Sequence, residues 1–226
     1  MKRSEINRAI GWAEALLQRH HISLPDYAGW SPDEWKARRG DTGVIRQLML
    51  GWDITDYGCG DFERIGTVLY TVRNGSHASP DVGVPYCEKY LIMRDGQRLP
   101  KHYHVFKTED IINRAGGVLQ VFLWNADPAT GKQLDTPVTV FRDGIPHTCA
   151  PGEEILVTPG NSVTLTPYLA HIFGPKPGTG DVVCGEVSKV NDDLTDNFFL
   201  ERTARFPTIE EDEPALRPMC NEYDRL

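Results

Sequence analysis

Two histidines and a glutamate lie close together in the middle of this sequence, at spacings that suit a metal ion. His102 and His104 are two residues apart, so on a β-strand both imidazoles point to the same face and can reach one ion. Glu109 lies five residues further on, which lets the chain turn and return a carboxylate from an adjacent strand. These donors suit divalent Mn, Fe, Co, Ni, Zn or Cu. The segment therefore predicts a metal site, against the alternative of two unrelated surface histidines in a polar turn.

The residues around this segment predict a β-rich domain. From about residue 44, short apolar runs rich in β-branched and aromatic residues alternate with Gly, Pro and Asp. These runs are 65–72, 118–124, 138–141, 154–157, 162–165 and 181–187. Many short strands separated by turn residues are typical of a sandwich or a barrel. We therefore expect residues 44–206 to form one β-domain that positions the histidines.

Both ends of the chain are predicted to lie outside this domain. Apolar residues at helical spacing from Ile6 to Leu17 predict one helix, and the run 31–34, Ser-Pro-Asp-Glu, is a typical start of another. We expect residues 1–43 to be a helical extension packed outside the main domain or at a subunit contact. Residues 207–226 are acidic and contain prolines, and we expect them to follow the surface or to reach a partner subunit.

The glycines around the histidines add a resemblance to a known superfamily. The spacing of Gly96, His102, His104, Glu109 and Gly116 resembles the first motif of the cupin superfamily at every position. The resemblance implies an all-β cupin barrel, an antiparallel jelly-roll-like β-barrel, in which the two histidines and the glutamate bind the metal. It also implies a further histidine ligand from a second, looser motif.

His171 is the predicted fourth ligand. Residues 152–160 resemble the second cupin motif, and His171 follows them after a longer gap than the compact pattern has. The competing candidate is His147, which lies in a turn containing glycine and proline. We favour His171 because it follows the strand predicted around Leu165 and lies among the apolar residues 169–173.

Further segments resemble the D-lyxose isomerase family of cupin sugar isomerases. They are residues 100–104, 107–117, 185–193 and 195–197, and the resemblance runs over most of the chain. It implies a manganese-dependent aldose–ketose isomerase that interconverts D-lyxose and D-xylulose, and often D-mannose and D-fructose. The family is usually homodimeric. The same ligands would also accept Fe, Co, Ni or Zn.

Such a reaction moves a carbonyl group between C1 and C2 of a sugar. A Lewis acid polarises the carbonyl, and a side chain carries a proton between the two carbons. A single ligand cluster favours this enediol route over a hydride shift, which a metal pair would support. Glu186, at the end of the apolar run 182–185, is the predicted acid–base residue. Its alternative is an outward-facing strand carboxylate.

Three more polar residues are candidates for roles around the substrate. Lys101 directly precedes His102 and therefore starts on the opposite strand face. It is predicted to stabilise the enediolate oxygen or to assist ring opening, or it is a plain solvated lysine. Lys89 and Asp193 are predicted to bind sugar hydroxyls, Asp193 from a loop at the barrel mouth, where it could equally be a turn carboxylate.

Composition narrows the classes of partner. The chain has 226 residues and a net charge of −8, which disfavours nucleic acid or an anionic membrane as a partner. No apolar run is long enough to span a bilayer, and the first residues do not resemble a secretory signal. The five cysteines are scattered without a Cys-x-x-Cys pair, which favours reduced thiols and a cytoplasmic location. A small sugar is the expected partner.

Two other functions fit the same metal ligands. A mononuclear metal dioxygenase would use them to activate oxygen, but its substrates are often apolar, whereas the polar stretch 191–197 suits a polyol. A non-catalytic sugar-binding cupin, such as the sensor part of a transcription regulator, would need DNA-binding helices with a basic face. The predicted N-terminal helices are mixed in charge, which disfavours this third class.

Overall fold

Antiparallel β-strands dominate the computed structural model, which describes residues 1–193, 195–201, 203–204 and 206–226. The helices of this part are α1 Arg3–Arg19, α2 Pro32–Ala37 and α3 Gly43–Gln47, with short 3₁₀ turns at Asp26–Gly29, Arg39–Asp41 and Tyr223–Arg225. The strands are β1 Gly51–Thr55, β2 Thr67–Gly75, β3 Gly83–Met93, β4 His102–Tyr103, β5 Glu109–Gly116, β6 Leu119–Asn125, β7 Val138–Arg142, β8 Ile145–Cys149, β9 Glu154–Val157, β10 Ser162–Leu165, β11 Leu169–Pro175, β12 Val182–Lys189 and β13 Phe198–Phe199.

The strands form two sheets around one apolar core. The larger sheet has the order β1-β2-β3-β12-β5-β10-β7-β8, and the smaller has the order β13-β4-β11-β6-β9. Side chains from the inner faces of both sheets meet in this core, among them Leu91 and Ile111 from the larger sheet and Val121 and Phe173 from the smaller. The predicted antiparallel, jelly-roll-like β-barrel is confirmed.

Helix α1 covers the outer face of the larger sheet. Its apolar residues, Ile6, Ala9, Ile10, Ala13, Leu16 and Leu17, are buried, and they pack against strand residues that include Val68, Tyr70 and Ile92. Because strand side chains alternate between faces, β2 sends Leu69 into the barrel core and its two neighbours outward to the helix. The prediction of N-terminal helices outside the barrel is confirmed.

Two local details complete the N-terminal region. The predicted helix start at residues 31–34 is the start of α2, where the Ser31 hydroxyl and the Glu34 carboxylate cap each other's backbone N–H groups. Helical structure continues past the expected boundary at residue 43, because α3 extends to Gln47 and β1 begins only at Gly51. Among the described residues, no helix combines the length and apolarity that crossing a membrane requires.

The C-terminal residues run along the N-terminal helices. The buried Arg3 guanidinium pairs with the carboxylates of Glu211 and Glu222. Tyr223 stacks on Trp35, with ring centroids 4.4 Å apart. Within one chain the tail therefore follows the surface of the helical region, while a contact with a partner subunit stays a prediction.

Candidate active site

Three imidazoles meet inside the barrel. Strand pairing sets His171 on β11 directly opposite His102 on β4, and their Nε2 atoms are 3.1 Å apart. His104 joins them, so that one ring nitrogen from each residue lies within 4.8 Å of the other two. All three side chains are buried. The structure thus brings His171 to the two histidines of the first motif. Its rival His147 lies on β8, at the edge of the larger sheet, and is not a member of this group.

Backbone carbonyl groups set the tautomer of each imidazole. The Nδ1 atoms of His102, His104 and His171 lie 2.8, 2.6 and 2.9 Å from carbonyl oxygens of the chain. A carbonyl oxygen can only accept, so each Nδ1 carries the proton and each Nε2 presents a lone pair to the cavity. Burial lowers the pKa of His102 well below its usual value and lowers the pKa of His171 to about 4. His102 and His171 are therefore neutral, as metal ligands must be.

Glu109 adds a carboxylate to the three rings. Its Oε1 lies 3.3 Å from His104 Nε2 and 3.4 Å from His171 Nε2, while its Oε2 lies 2.9 Å from the ammonium of Lys107. Burial acts to raise the pKa of Glu109, but Lys107 together with the contacts to His104 and His171 lowers it more and holds this pKa well below its usual range. Glu109 is therefore an ionised carboxylate.

These four side chains fit a divalent metal ion. Nε2 of His104 is buried and has no hydrogen-bond partner among the residues that the structure describes. With both Nδ1 atoms protonated, the 3.1 Å contact between the Nε2 atoms of His102 and His171 brings two lone pairs together. Lone pairs and a carboxylate turned toward one another repel unless a cation lies between them. Nitrogen and oxygen donors of this kind suit Mn, Fe, Co, Ni or Zn in the divalent state.

A buried lysine connects the carboxylate of Glu109 to a second carboxylate. Lys107 Nζ lies 2.9 Å from Glu109 Oε2 and donates hydrogen bonds of 3.0 Å to Glu186 Oε1 and of 3.0 Å to Asn191 Oδ1. Burial acts to lower the pKa of Lys107, but the two carboxylates outweigh it and raise this pKa above its usual value. Lys107 therefore stays an ammonium group. The sequence analysis did not select it, although it is two residues before Glu109 and can share its face.

The other candidates on β12 and β3 lie beside Lys107. Glu186, only 5% exposed, pairs in register with Lys89, whose Nζ is 3.8 Å from Glu186 Oε1 and 3.3 Å from Asp193 Oδ1. Burial acts to lower the pKa of Lys89, but Asp193 and Glu186 raise it overall. Asn197 donates to Asp193 Oδ1 over 3.0 Å. The structure thus brings together Glu186, Lys89 and Asp193, which the sequence analysis selected as residues around the substrate.

Lys101 does not lie with these residues. Its Nζ donates to Gln133 Oε1 over 2.8 Å and lies 3.5 Å from the ring centroid of Trp124. The reason is the alternation of side chains along a strand: His102 points into the barrel, so its neighbour points away. The ammonium group beside the carboxylates comes from Lys107 instead, and the expected role of Lys101 at the reaction centre has to be corrected.

Both polar and apolar side chains line a small cavity at this site. The apolar lining consists of Tyr57, Leu69, Leu91, Leu99, Phe173 and Phe199. The charged lining has two ammonium groups, Lys89 and Lys107, and three carboxylates, Glu109, Glu186 and Asp193. These formal charges leave one net negative charge, which a divalent ion would reverse to one net positive charge. Such a cavity suits a polyol that becomes an anion during its reaction.

Comparisons with known proteins identify the family of this chain. Residues 1–223 match the family model described as D-lyxose isomerase. A D-lyxose/D-mannose isomerase of Escherichia coli O157:H7 is 43% identical over 226 residues, which cover 99% of this chain and 98% of that protein. One from Serratia proteamaculans is 43% identical over 227 residues, which cover 100% and 99%.

A solved structure agrees with the fold. The L-ribose isomerase of Geodermatophilus obscurus aligns with a TM-score of 0.53 at 18% identity, over 92% of this chain and 98% of that chain, and it supports the fold alone. The family resemblance seen in the sequence is confirmed by the family model and the curated relatives. This chain therefore belongs to the D-lyxose isomerase family of sugar isomerases.

Proposed function

We propose that this protein is a metal-dependent aldose–ketose isomerase that converts D-lyxose to D-xylulose, and also D-mannose to D-fructose, through an enediol. The observation that carries this proposal is the buried carboxylate of Glu186, held 3.0 Å from Lys107 Nζ beside the four candidate metal ligands. The names of the relatives from Escherichia coli and Serratia proteamaculans, D-lyxose/D-mannose isomerase, support the choice of substrates.

His102, His104, His171 and Glu109 would hold the metal ion, and manganese is the ion that we propose. A divalent ion bound there supplies a Lewis acid that polarises the sugar carbonyl. The carbonyl groups that accept from each Nδ1 keep the three Nε2 lone pairs directed at the cavity. Such outer contacts fix the orientation of the ligands and their basicity.

Glu186 is the proposed acid–base residue. Its carboxylate takes the proton from C2 of the open-chain aldose, the electron pair left on C2 forms the C1–C2 double bond, and negative charge develops on O1. The same carboxyl group returns the proton to C1, while the proton of the O2 hydroxyl passes to O1 and leaves a ketone at C2. One group thus acts first as base and then as acid.

Lys107 and Lys89 stabilise the negative charge of this reaction. The ammonium of Lys107 lies between the carboxylates of Glu109 and Glu186, where its positive charge can stabilise the developing enediolate. Lys89 and Asp193, 3.3 Å apart, offer a donor and an acceptor for hydroxyl groups further along the sugar. The apolar side chains of the cavity lining would pack against the C–H groups of the sugar.

A substrate panel with defined metals tests this function. The protein is stripped of metal with a chelator, reloaded with Mn²⁺, Fe²⁺, Co²⁺, Ni²⁺ or Zn²⁺, and incubated anaerobically with D-lyxose, D-mannose and other aldoses. We expect ketose from D-lyxose and D-mannose, the highest rate with Mn²⁺ and none after chelation. Oxygen uptake without ketose would favour the dioxygenase, and sugar binding without turnover would favour the non-catalytic cupin.

The predicted homodimer and the cytoplasmic location are further parts of this proposal. Light scattering of the purified protein tests the first, with a mass of twice 25.4 kDa as the expected result. Fractionation of the source cells tests the second.

A further inference from the structure

A single aspartate contacts four consecutive residues of the site. The carboxylate of Asp196 accepts backbone N–H groups of Val105 at 2.7 Å, Phe106 at 3.0 Å and Lys107 at 2.9 Å. The backbone carbonyl of Asp196 accepts the Nδ1 proton of His104 at 2.6 Å. Asp196 is 5% exposed. Residues 104–108 connect β4 and β5, so Asp196 contacts four of the five residues of this turn.

The two ends of this turn carry the functional side chains. His104 is a candidate metal ligand, and the Nδ1 contact keeps its Nε2 unprotonated and directed at the cavity. Lys107 lies three residues further on, with its ammonium between Glu109 and Glu186. A buried carboxylate that accepts three N–H groups fixes the conformation of the backbone between them, because another conformation would leave these donors without this partner.

Asp196 also belongs to a segment that lines the cavity. This mouth segment, residues 195–199, carries Asn197 and Phe199, both part of the cavity wall. Phe199 pairs in register with His102, and their ring centroids are 5.3 Å apart. The mouth segment therefore contacts both histidines of the first motif, one through a strand pairing and the other through Asp196.

We propose that Asp196 is a positioning residue that couples the docked mouth segment to metal binding. Its carbonyl group orients His104, and its carboxylate positions Lys107. The metal ligands and the ion pair between Lys107 and Glu186 are therefore assembled together only when the mouth segment lies against this turn. This inference rests on the proposed function for its effect on turnover. Its effect on metal affinity depends only on the geometry of this chain.

The test is Asp196→Asn, which removes the charge and turns an amide NH₂ toward one of the three backbone N–H groups. We expect the Kd for Mn²⁺, measured by chelator competition, to rise about 10–100-fold, the usual effect of disturbing an outer contact to a metal ligand, because the loosened turn moves His104 relative to the Asp196 carbonyl group. The Mn²⁺ EPR spectrum should change, and amide hydrogen exchange at residues 105–107 should become faster. In the isomerase assay, kcat should fall more than KM changes, because the displaced groups act on the reaction rather than on binding alone.

The matched control is Asp127→Asn. Its carboxylate accepts the backbone N–H groups of Ala129 and Thr130, both at 2.9 Å, in an exposed turn. We expect the Mn²⁺ affinity and EPR spectrum of this variant to equal those of the wild type.

An Asp196→Asn variant with wild-type Mn²⁺ affinity and EPR spectrum would overturn the proposal, whatever its melting temperature. If that variant does not fold, Asp196→Glu replaces it. This substitution keeps the charge and displaces the carboxylate by one methylene. The Mn²⁺ affinity and the EPR spectrum again decide the outcome. Failure of the proposed function is a separate result: a wild type that binds Mn²⁺ but makes no ketose refutes the isomerase, while the affinity and the spectrum still decide on Asp196.

Discussion

At the scale of single residues, the site depends on charged groups that are buried together. Lys89, Lys107, Glu109 and Glu186 are each at most 5% exposed, and each has an oppositely charged partner within 4 Å. Removing one member leaves a buried charge without compensation, which is costly. The same contacts make the charges available at fixed positions when the substrate becomes an anion.

The two lysines of the first motif are expected to behave differently. Lys107→Gln removes the ammonium between the carboxylates of Glu109 and Glu186, and we expect kcat to fall by about 10²–10⁴-fold. Lys101→Gln changes a group that contacts Gln133 and Trp124 outside the cavity, and we expect a kcat within a few-fold of wild type. Steady-state kinetics with D-lyxose measures both. Equal losses in the two variants would contradict the assignment of Lys107 over Lys101.

Glu186→Gln separates acid–base chemistry from metal binding. The amide keeps the size of the side chain but cannot take a proton, so we expect kcat to fall by about 10²–10⁴-fold while bound Mn²⁺, measured by elemental analysis, stays at the wild-type level. Glu88→Gln is the control, because Glu88 is a β3 carboxylate that pairs with Arg73 and does not line the cavity. Substantial activity in Glu186→Gln would show that another group moves the proton.

At the scale of elements, strand register brings the ligands together. β4 is only two residues long, but its pairings place His102 between His171 on β11 and Phe199 on β13. β12 lies between β3 and β5, so Glu186 is adjacent to Lys89 on one side and to the strand of Glu109 on the other. A shift of one residue in any of these pairings would turn a metal ligand or Glu186 away from the cavity.

Gly174 allows strand β11, which carries His171, to lie close to the backbone at Gln97. A Cβ atom at Gly174 on β11 would lie 2.0 Å from the backbone carbonyl oxygen of Gln97, so the two segments would have to move apart. We expect Gly174→Ala to lower the free energy of unfolding by about 1–3 kcal/mol and to weaken metal binding by displacing β11.

The control for that variant is Gly11→Ala in α1. A Cβ atom at Gly11 meets nothing within 4 Å, and alanine favours a helix, so we expect an increase of about 0.5–1 kcal/mol. Urea denaturation of the two metal-free variants measures both changes. A Gly174→Ala variant as stable as the wild type would contradict the close approach of β11 to Gln97.

At the scale of the whole molecule, the sequence analysis predicted the architecture more completely than it predicted the contacts between distant segments. Each apolar run that the sequence analysis selected lies on a strand, from β2 to β12. β3 and β5 were not selected, because charged residues, among them Lys89 and Glu109, interrupt their apolar pattern. Sequence analysis found His102, His104 and Glu109 because two-residue spacing and a motif are local properties.

The rest of the site depends on contacts that no local pattern contains. The sequence analysis selected Lys101 beside His102 and assigned no role to Lys107, whose contacts with Glu186 and Asn191 join residues about eighty positions apart in the chain. Asp196 reaches a turn about ninety residues earlier in the chain, and nothing in its own neighbourhood indicates that contact. The opposition of His171 to His102 likewise follows from the pairing of β11 with β4.

The stability of the metal-free protein is expected to depend on pH through its buried histidines. Burial lowers the pKa of His171 from an ordinary 6.5 to about 4, so between these values the unfolded chain binds a proton that the folded chain does not. Stability is therefore complete above about pH 6.5 and is lost as the pH falls toward 4. The shift corresponds to on the order of 3 kcal/mol for this residue.

Thermal unfolding of the chelator-treated protein across this pH range measures the effect. We expect the melting temperature to fall steadily from pH 6.5 to pH 4 and expect His171→Gln to reduce the dependence. A melting temperature that does not change over this range would contradict the neutral, buried state of His171.

The central claim is that a proton moves between C1 and C2 of the sugar beside the buried ligands, and conversion of D-lyxose in D₂O tests it most directly. The Mn²⁺-loaded protein is incubated with unlabelled D-lyxose, and the D-xylulose formed is analysed by NMR. Because the proton taken by Glu186 can exchange with solvent before its return, the account predicts deuterium at C1 of the ketose. Ketose formed without deuterium at C1 would indicate a direct hydride shift and would contradict the role assigned to Glu186.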